Sequence, residues 1–564
     1  MNHMKKIYLV LASLACIFFT SCSQDHLEIA QKGVESYEDY FSMVGDEEAI
    51  SLLASMYQQF RTIYQPAYTI VPNEITGDVT VGGSDPSDGV ENHQISSLLH
   101  NASNSQISQM WGRFYVLLYR ANLIVDKISP DTPVKERIIA EAKVARAWAM
   151  TECLMLWGNP PLVDHVLEGA DEFEQPNCDP AIAWEWIENN YTEAAAVLPS
   201  KSGKNGQAAI GGRFTKEAAL GFLGKAQVYQ GKYAEAQNTL KKVISSNLYE
   251  LEPDITKLFH AAADFSPEYL FELDIDYNGS DRKTAGYLIT ANTWQNPGWR
   301  TDQVYVPLEF TQAASWGYMN PSKGFALEMI DHDGMESPRR QYTILTYDEL
   351  LDESKFSYNT DEVGNAAKGV KAAGLHDNAG YLRHKFTVRM EDLCTTVSNY
   401  SKSFNTLTNI PLLRYADILL LYAEACAKTG SDVAGGLEAL NLVRRRAGLN
   451  DAPSLDMDNK DYGIKAERRF ELFFECANRY IDLVRWGDFG TVYNKMRSQY
   501  GFGSIHYRLM GLKDPSIEYG GPSNWNVSEE AVVNPGTYSE KFDHLPFPDT
   551  EIQNNKKLTQ NSGW

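Results

Sequence analysis

The chain has 564 residues, of which 43% are hydrophobic and 12% aromatic, with a formal net charge of −23. That apolar content excludes a disordered chain, and the acidic balance excludes a nucleic-acid binder, because phosphate recognition rests on Lys and Arg. An anionic ligand is disfavoured too, unless a local basic pocket overrides the total.

Lys5 and Lys6 precede an apolar stretch from Ile7 to Phe19, which closes on Phe19-Thr20-Ser21-Cys22. This pattern predicts a signal peptide over residues 1–21, too short to span a bilayer. Two small residues directly before a cysteine resemble the lipobox of bacterial lipoproteins, which implies a lipid on Cys22 and a membrane anchor. A plain secreted chain with an incidental Cys22 is the competing reading. No later run of about eighteen apolar residues is present. Cys153, Cys178, Cys394, Cys426 and Cys476 are widely spaced and form no C-x-x-C pair, so free buried thiols are expected rather than a zinc or redox site.

Past a polar tether reaching about Tyr37, a helix is predicted from about Glu47 to Phe60. The segment Pro66 to Gly89, with Asn73, Glu74, Asp78 and Gly82-Gly83-Ser84-Asp85-Pro86, reads as a surface loop of the kind that carries function. Periodic helices follow at Gln106 to Ile128 and Val134 to Trp157, the latter stopped by Gly158, Pro160 and Pro161. Between Arg213 and Ile244, Ala219, Phe222, Leu223, Ala226 and Tyr229 share one face. A Gly231 turn then leads to a second helix with Ala236, Leu240 and Val243 apolar. This is a helical hairpin of tetratricopeptide (TPR) type, and Arg414 to Gly448 repeats it around Gly430. The fold class expected is mainly α: a TPR-like helical-hairpin scaffold carrying a long, irregular, loop-rich α/β insert. Its organisation reads as 22–270, an N-terminal helical region; 271–409, the insert, entered by a short strand at Glu268–Asp274; and 410–564, a second helical region with an irregular tail.

Several motifs in order resemble the SusD/RagB outer-membrane lipoproteins of Bacteroidetes. They include Trp111, Tyr115, Arg120-Ala121-Asn122, Glu141-Ala142-Lys143 and Trp157-Gly158. Later come Arg414-Tyr415-Ala416-Asp417, Glu424-Ala425, Arg446-Ala447-Gly448, Glu467-Arg468-Arg469 and Arg485-Trp486, then Leu545-Pro546-Phe547-Pro548 and the terminal Gly563-Trp564. The resemblance covers nearly the whole chain after Cys22. It implies a lipid-anchored protein of the cell outer membrane, facing the extracellular side, that captures glycans and passes them to a SusC-like TonB-dependent transporter. In some members the cargo is peptide. After Cys22 only Asp25 precedes Glu28, a sparser acidic signal than many members carry.

Catalysis has no positive motif: P-loop, G-x-S-x-G and H-E-x-x-H patterns are absent, and the eleven histidines show no ligand spacing. Glu467, Glu471 and Glu475 lie at helical spacing and invite comparison with a glycosidase pair. Their neighbours Arg468, Arg469, Arg479 and Arg485 favour a structural ion network instead. Asp274 to Asp281 begins like a calcium loop but places Arg282 and Ala285 at positions nine and twelve, and Asp331-His332-Asp333-Gly334 is weaker still. Neither metal nor cofactor is therefore expected.

The glycan-binding candidates are Trp294, Asn296, Trp299, Arg300, Trp316 and Tyr318, interleaved with Asn292, Gln295, Asp302 and Tyr305. Sugar C–H faces pack on aromatic planes, while hydroxyl edges seek amide, carboxylate and guanidinium partners. Each ring has a competing use as a core anchor of the long insert. Asp78 joins the candidates from the first loop, with Asn92 beside it, because family sites resemble a meeting of that loop with the insert. A peptide-import subunit, a glycoside hydrolase and a pure TPR scaffold remain as alternatives.

Overall fold

The computed structural model describes residue 41 and residues 43–64, 66–170, 172–206, 212–274, 299–312, 317–393, 408–517 and 519–564. Met1–Gly45 stands as a separate unit, and Cys22 with the expected signal peptide lies outside the described residues. All that follows concerns the unit Asp46–Trp564.

Its helices begin with α1 (Asp46–Ile63), whose Ala49, Leu53, Met56, Phe60 and Ile63 form one buried stripe. The expected loop at Pro66 is in fact α2 (Pro66–Glu74), helical despite Pro72. Burial of Tyr68, Ile70 and Val71 overrides the proline signal, and the Tyr68 hydroxyl donates to Glu152 at 2.8 Å. Strand β1 (Val79–Gly82) and α3 (Val90–Ser96) follow. The scaffold then runs through α4 (Ser105–Lys127), α5 (Pro133–Trp157), α6 (Pro180–Val197), α7 (Lys216–Tyr229) and α8 (Tyr233–Ser245). Helix starts follow capping chemistry: Thr132 accepts from Lys135 N–H ahead of Pro133, and Asp179 accepts from Ala181 N–H ahead of Pro180.

The insert leaves through β2 (Tyr269–Leu273), a strand buried along its whole length. It contains β3 (Val304–Tyr305), β4 (Tyr318–Pro321), α9 (Lys323–Asp333), α10 (Pro338–Thr343), β5 (Ile344–Thr346), α11 (Tyr347–Leu351), β6 (Gly369–Val370), β7 (Leu375–His376) and β8 (Tyr381–Arg383). It returns through β9 (Ile410–Arg414), which pairs antiparallel with β2 and ties the two ends of the excursion together. Helices α12 (Tyr415–Thr429) and α13 (Val433–Arg446) form the second hairpin. Neighbouring helices pack in an unbroken series: α1 on α4, then α5, α6, α7, α8, α12 and α13. That is a short helical solenoid. Close approach within the first hairpin depends on Gly224, where a Cβ would stand 2.4 Å from Leu240.

The tail is less irregular than its sequence suggests. After α14 (Ile464–Glu471), α15 (Asn478–Trp486) and α16 (Phe489–Tyr500), a long hairpin of β10 (Ile505–Leu512) and β11 (Trp525–Ala531) adds β7 from the insert along its other edge. Short α17 (Asp549–Asn554) precedes the terminus. Among the described residues no helix is long and apolar enough to cross a membrane.

Buried ion pairs join these layers. Arg414 donates to Glu475 at 2.7 Å and pairs with Glu268 and with Glu471 at 3.1 Å. Arg446 pairs with Glu268 at 2.9 Å and with Glu471. Arg339 bridges Asp333 at 2.7 Å and Glu467 at 2.8 Å, and Arg444 also pairs with Glu467. The three glutamates thus form an ion network, but with guanidinium groups from distant elements. Their sequence neighbours serve elsewhere: Arg468 holds Asp417 and Asp482, and Arg485 holds Glu424. Asp333, from the weak calcium-like motif, is one of the carboxylates held by Arg339. The thiols of Cys153, Cys178, Cys426 and Cys476 are free.

Candidate functional site

The loop between β1 and α3 is fastened to the insert by an antiparallel pair, β1 on β4, with Gly82 opposite Tyr318 and Thr80 opposite Asn320. Only glycine fits at Gly82: its φ is +84°, and a Cβ there would lie 2.1 Å from the Gly317 carbonyl oxygen. Gly83, at φ +88°, lets the Tyr318 ring lie against the loop. The loop then curls around Asp88, whose Oδ2 accepts from the Ser84 backbone N–H and hydroxyl, both at 3.0 Å.

Onto this loop the insert delivers Tyr318 and Arg300. The Tyr318 hydroxyl donates to Asp88 Oδ1 at 2.9 Å. Burial first, and then the Asp88 carboxylate it bonds, raise that phenol's pKa, so Tyr318 is a neutral donor at physiological pH. Arg300 forks onto Asp302 with two bonds of 2.8 Å and lies 3.6 Å from Asp88. The hydrogen bonds from Arg300 hold the Asp302 carboxyl below its ordinary range. Gln303 donates to the Gly83 carbonyl at 2.9 Å. Nearby, the ring of Tyr305 is 40% exposed, with the Lys371 ammonium 4.8 Å from its centroid. The result is a half-exposed group of phenol rings, one guanidinium and two carboxylates. Their remaining donors and acceptors suit a polyhydroxylated ligand.

Two expectations need correction. Trp299 is fully buried and packs edge-on against Phe310 at 5.4 Å, so it is a core anchor and offers no ring face to a ligand. Asp78 is also buried, its oxygens held by Arg469 at 2.7 Å and Arg479 at 3.0 Å, so its charge is committed to the fold. Asn92 is buried on α3. Trp294, Asn296 and Trp316 lie outside the described residues. Arg300 and Tyr318 are the candidates brought together. Sequence reasoning missed Asp88, because a carboxylate within Asp85-Pro86-Ser87-Asp88-Gly89 reads as ordinary turn chemistry.

A second cluster stands next to this loop. His93 of α3, Asp377 just after β7 and His506 of β10 place ligand-type atoms within 4.8 Å of one another. His506 Nδ1 lies 3.2 Å from Asp377 Oδ1, and Asp377 Oδ2 accepts from the Gly82 N–H at 3.3 Å. Burial lowers the pKa of His93 and of adjacent His376, the latter to about 4.

Residues 267–564 match the model of the SusD family. The chain belongs to the SusD family. A SusD-like protein of Bacteroides ovatus is 24% identical over 99% of this chain and 98% of its own length. Among solved structures, a laminarin binding SusD-like protein superposes with a TM-score of 0.69 at 23% identity, covering 92% of this chain and 99% of that one. Surface glycan-binding protein A from Bacteroides thetaiotaomicron, in complex with laminarihexaose, gives 0.66 at 20% identity, with 92% and 99% covered. The mainly α architecture of this SusD-family chain is therefore the architecture of its relatives.

Proposed function

We propose that this chain is a glycan-binding lipoprotein of the outer membrane, anchored through Cys22 and facing the extracellular side. It captures an oligosaccharide or polysaccharide and delivers it to a SusC-like TonB-dependent transporter. The observation that carries this reading is the meeting of the Gly82–Gly89 loop with Tyr318 and Arg300, a half-exposed polar and aromatic platform at the junction of scaffold and insert. The glycan-binding descriptions of the two structural relatives support the ligand class. Trp294, Asn296 and Trp316 are assigned to the same platform from their sequence neighbourhood.

Binding is non-covalent. The hydrolase alternative needs one of the Glu467, Glu471 and Glu475 carboxyls as a proton donor. Burial tends to raise Glu471, yet Arg446 and Arg414 bring it down to about 2, so it stays ionised. The test is calorimetry of the full chain, purified in detergent, against a panel of glucans, other glycans and peptides. Saturable binding to a glycan without release of reducing ends is expected. Binding to peptides alone, or reducing ends that appear in a Glu471-dependent manner, would overturn the reading.

A further inference from the structure

The cluster beside the platform loop draws on three stretches far apart in the chain. His93 comes from α3, Asp377 from the link between β7 and β8, and His506 from β10. Asp377 and His506 are buried or half-buried, and Asp377 holds a left-handed backbone (φ 50°), an uncommon conformation for a residue other than glycine. Strain of that kind persists where the surroundings fix a side chain in place. The His93 ring lies against the Asp88 backbone without a well-formed hydrogen bond, and Nε2 of His376 has no hydrogen-bond partner. The rings of His93 and His506 meet edge-on at 4.9 Å. Glu74, fully buried at the end of α2, has both carboxyl oxygens unpartnered and lies within electrostatic reach of Asp377. So many unpaired ligand-type atoms in one place is unusual, since buried polar groups are normally satisfied.

We propose that His93, Asp377 and His506 bind one divalent transition-metal ion, of which zinc is the best fit. Two imidazole nitrogens and one carboxylate oxygen make a borderline-soft set suited to zinc, and three protein ligands leave a fourth position for water. A tetrahedral site with bonds of about 2.0–2.2 Å needs ligand atoms roughly 3.3–3.5 Å apart. The His506–Asp377 separation of 3.2 Å already meets that spacing. The other separations, within 4.8 Å, close through small rotations of the imidazoles. A cavity of about 40 Å³, lined by all three residues together with Ser97, Lys323 and Tyr507, leaves room for the ion and its water. The Gly82 N–H orients the second Asp377 oxygen, as outer partners of metal ligands do.

The ion would act as a staple. It joins the helix that follows the Gly82–Gly89 loop, the insert and the tail hairpin at one point, with β1 tied in through the Gly82 N–H bond to Asp377, and so fixes the platform without touching the glycan. Metal binding is read directly, so its failure is distinguishable from failure of the glycan reading.

The test uses the full chain, without a polyhistidine tag, stripped with a chelator and titrated with zinc chloride alone by calorimetry. One equivalent is expected to bind and to raise the melting temperature. His93→Gln and His506→Gln should each weaken binding at least about tenfold, while exposed His165→Gln should leave it unchanged. Should a variant fail to fold, cobalt(II) added to the wild-type chain decides: visible absorption bands bleached by zinc support the site. Absence of saturable zinc binding, absence of those bands, or wild-type affinity in both folded variants would overturn it.

Discussion

Arg414 donates to or pairs with Glu268, Glu471 and Glu475, all of them buried. Removing one partner of such a group leaves uncompensated charge in the interior, at a cost of about 3–5 kcal/mol. Arg414→Met is therefore expected to lose about that much stability by urea denaturation, and a loss below about 1 kcal/mol would show the network to be dispensable. At the platform the stakes are smaller. Tyr318→Phe deletes one hydrogen bond to the Asp88 carboxylate, worth up to about 1.5–3 kcal/mol for a charged acceptor, and should change stability by no more than that while keeping the ring.

At the scale of elements, the β1–β4 pair is the joint on which the platform depends. Gly82→Ala drives a Cβ to within 2.1 Å of the Gly317 carbonyl oxygen, at a residue whose φ is +84°. Backbone strain of this kind costs about 1–3 kcal/mol. Amide exchange should show β1 and β4 losing protection while α7, α8 and α12 keep theirs; unchanged protection at β1 would contradict the joint. The same scale shows what the sequence makes legible. Helices with apolar stripes, polar caps and glycine stops, such as α5 between Thr132 and Gly158, declare themselves because their signals are local. Helix α2 does not, since Pro66 and Pro72 read as breakers until the burial of Tyr68 and Val71 is known. The platform is half legible: Tyr318 and Arg300 stand out by composition. The burial of Trp299 and the pairing of Asp78 with Arg469 and Arg479 depend on partners far along the chain. For the same reason the His93, Asp377 and His506 cluster has no spacing to read, Asp377 and His506 alone lying 129 residues apart.

For the whole molecule, the buried carboxylates set the response to pH. Glu471, brought to about 2 by Arg446 and Arg414 against burial, binds fewer protons folded than unfolded. Its stabilising contribution is complete above its unfolded value of about 4.3 and is lost as pH falls toward about 2. Glu349, held at about 2 against burial by the hydrogen bonds it accepts from Arg340, behaves alike. Asp264 has the opposite sign: burial raises it to about 7, so its contribution is complete below about 3.9 and is lost as pH rises through about 7. Urea midpoints should fall steeply between pH 4.3 and 2, with a gentler decline between pH 4 and 7. A flat midpoint below pH 4.3 would contradict the ion-network reading. Scaffold and platform meet in the ligand, and the most direct measurement is calorimetric affinity of wild type and Tyr318→Ala for whichever glycan of the panel binds. A loss of at least about tenfold, about 1.4 kcal/mol, in a variant that still unfolds in one cooperative transition is the expected result; equal affinity in the two proteins would place the glycan elsewhere.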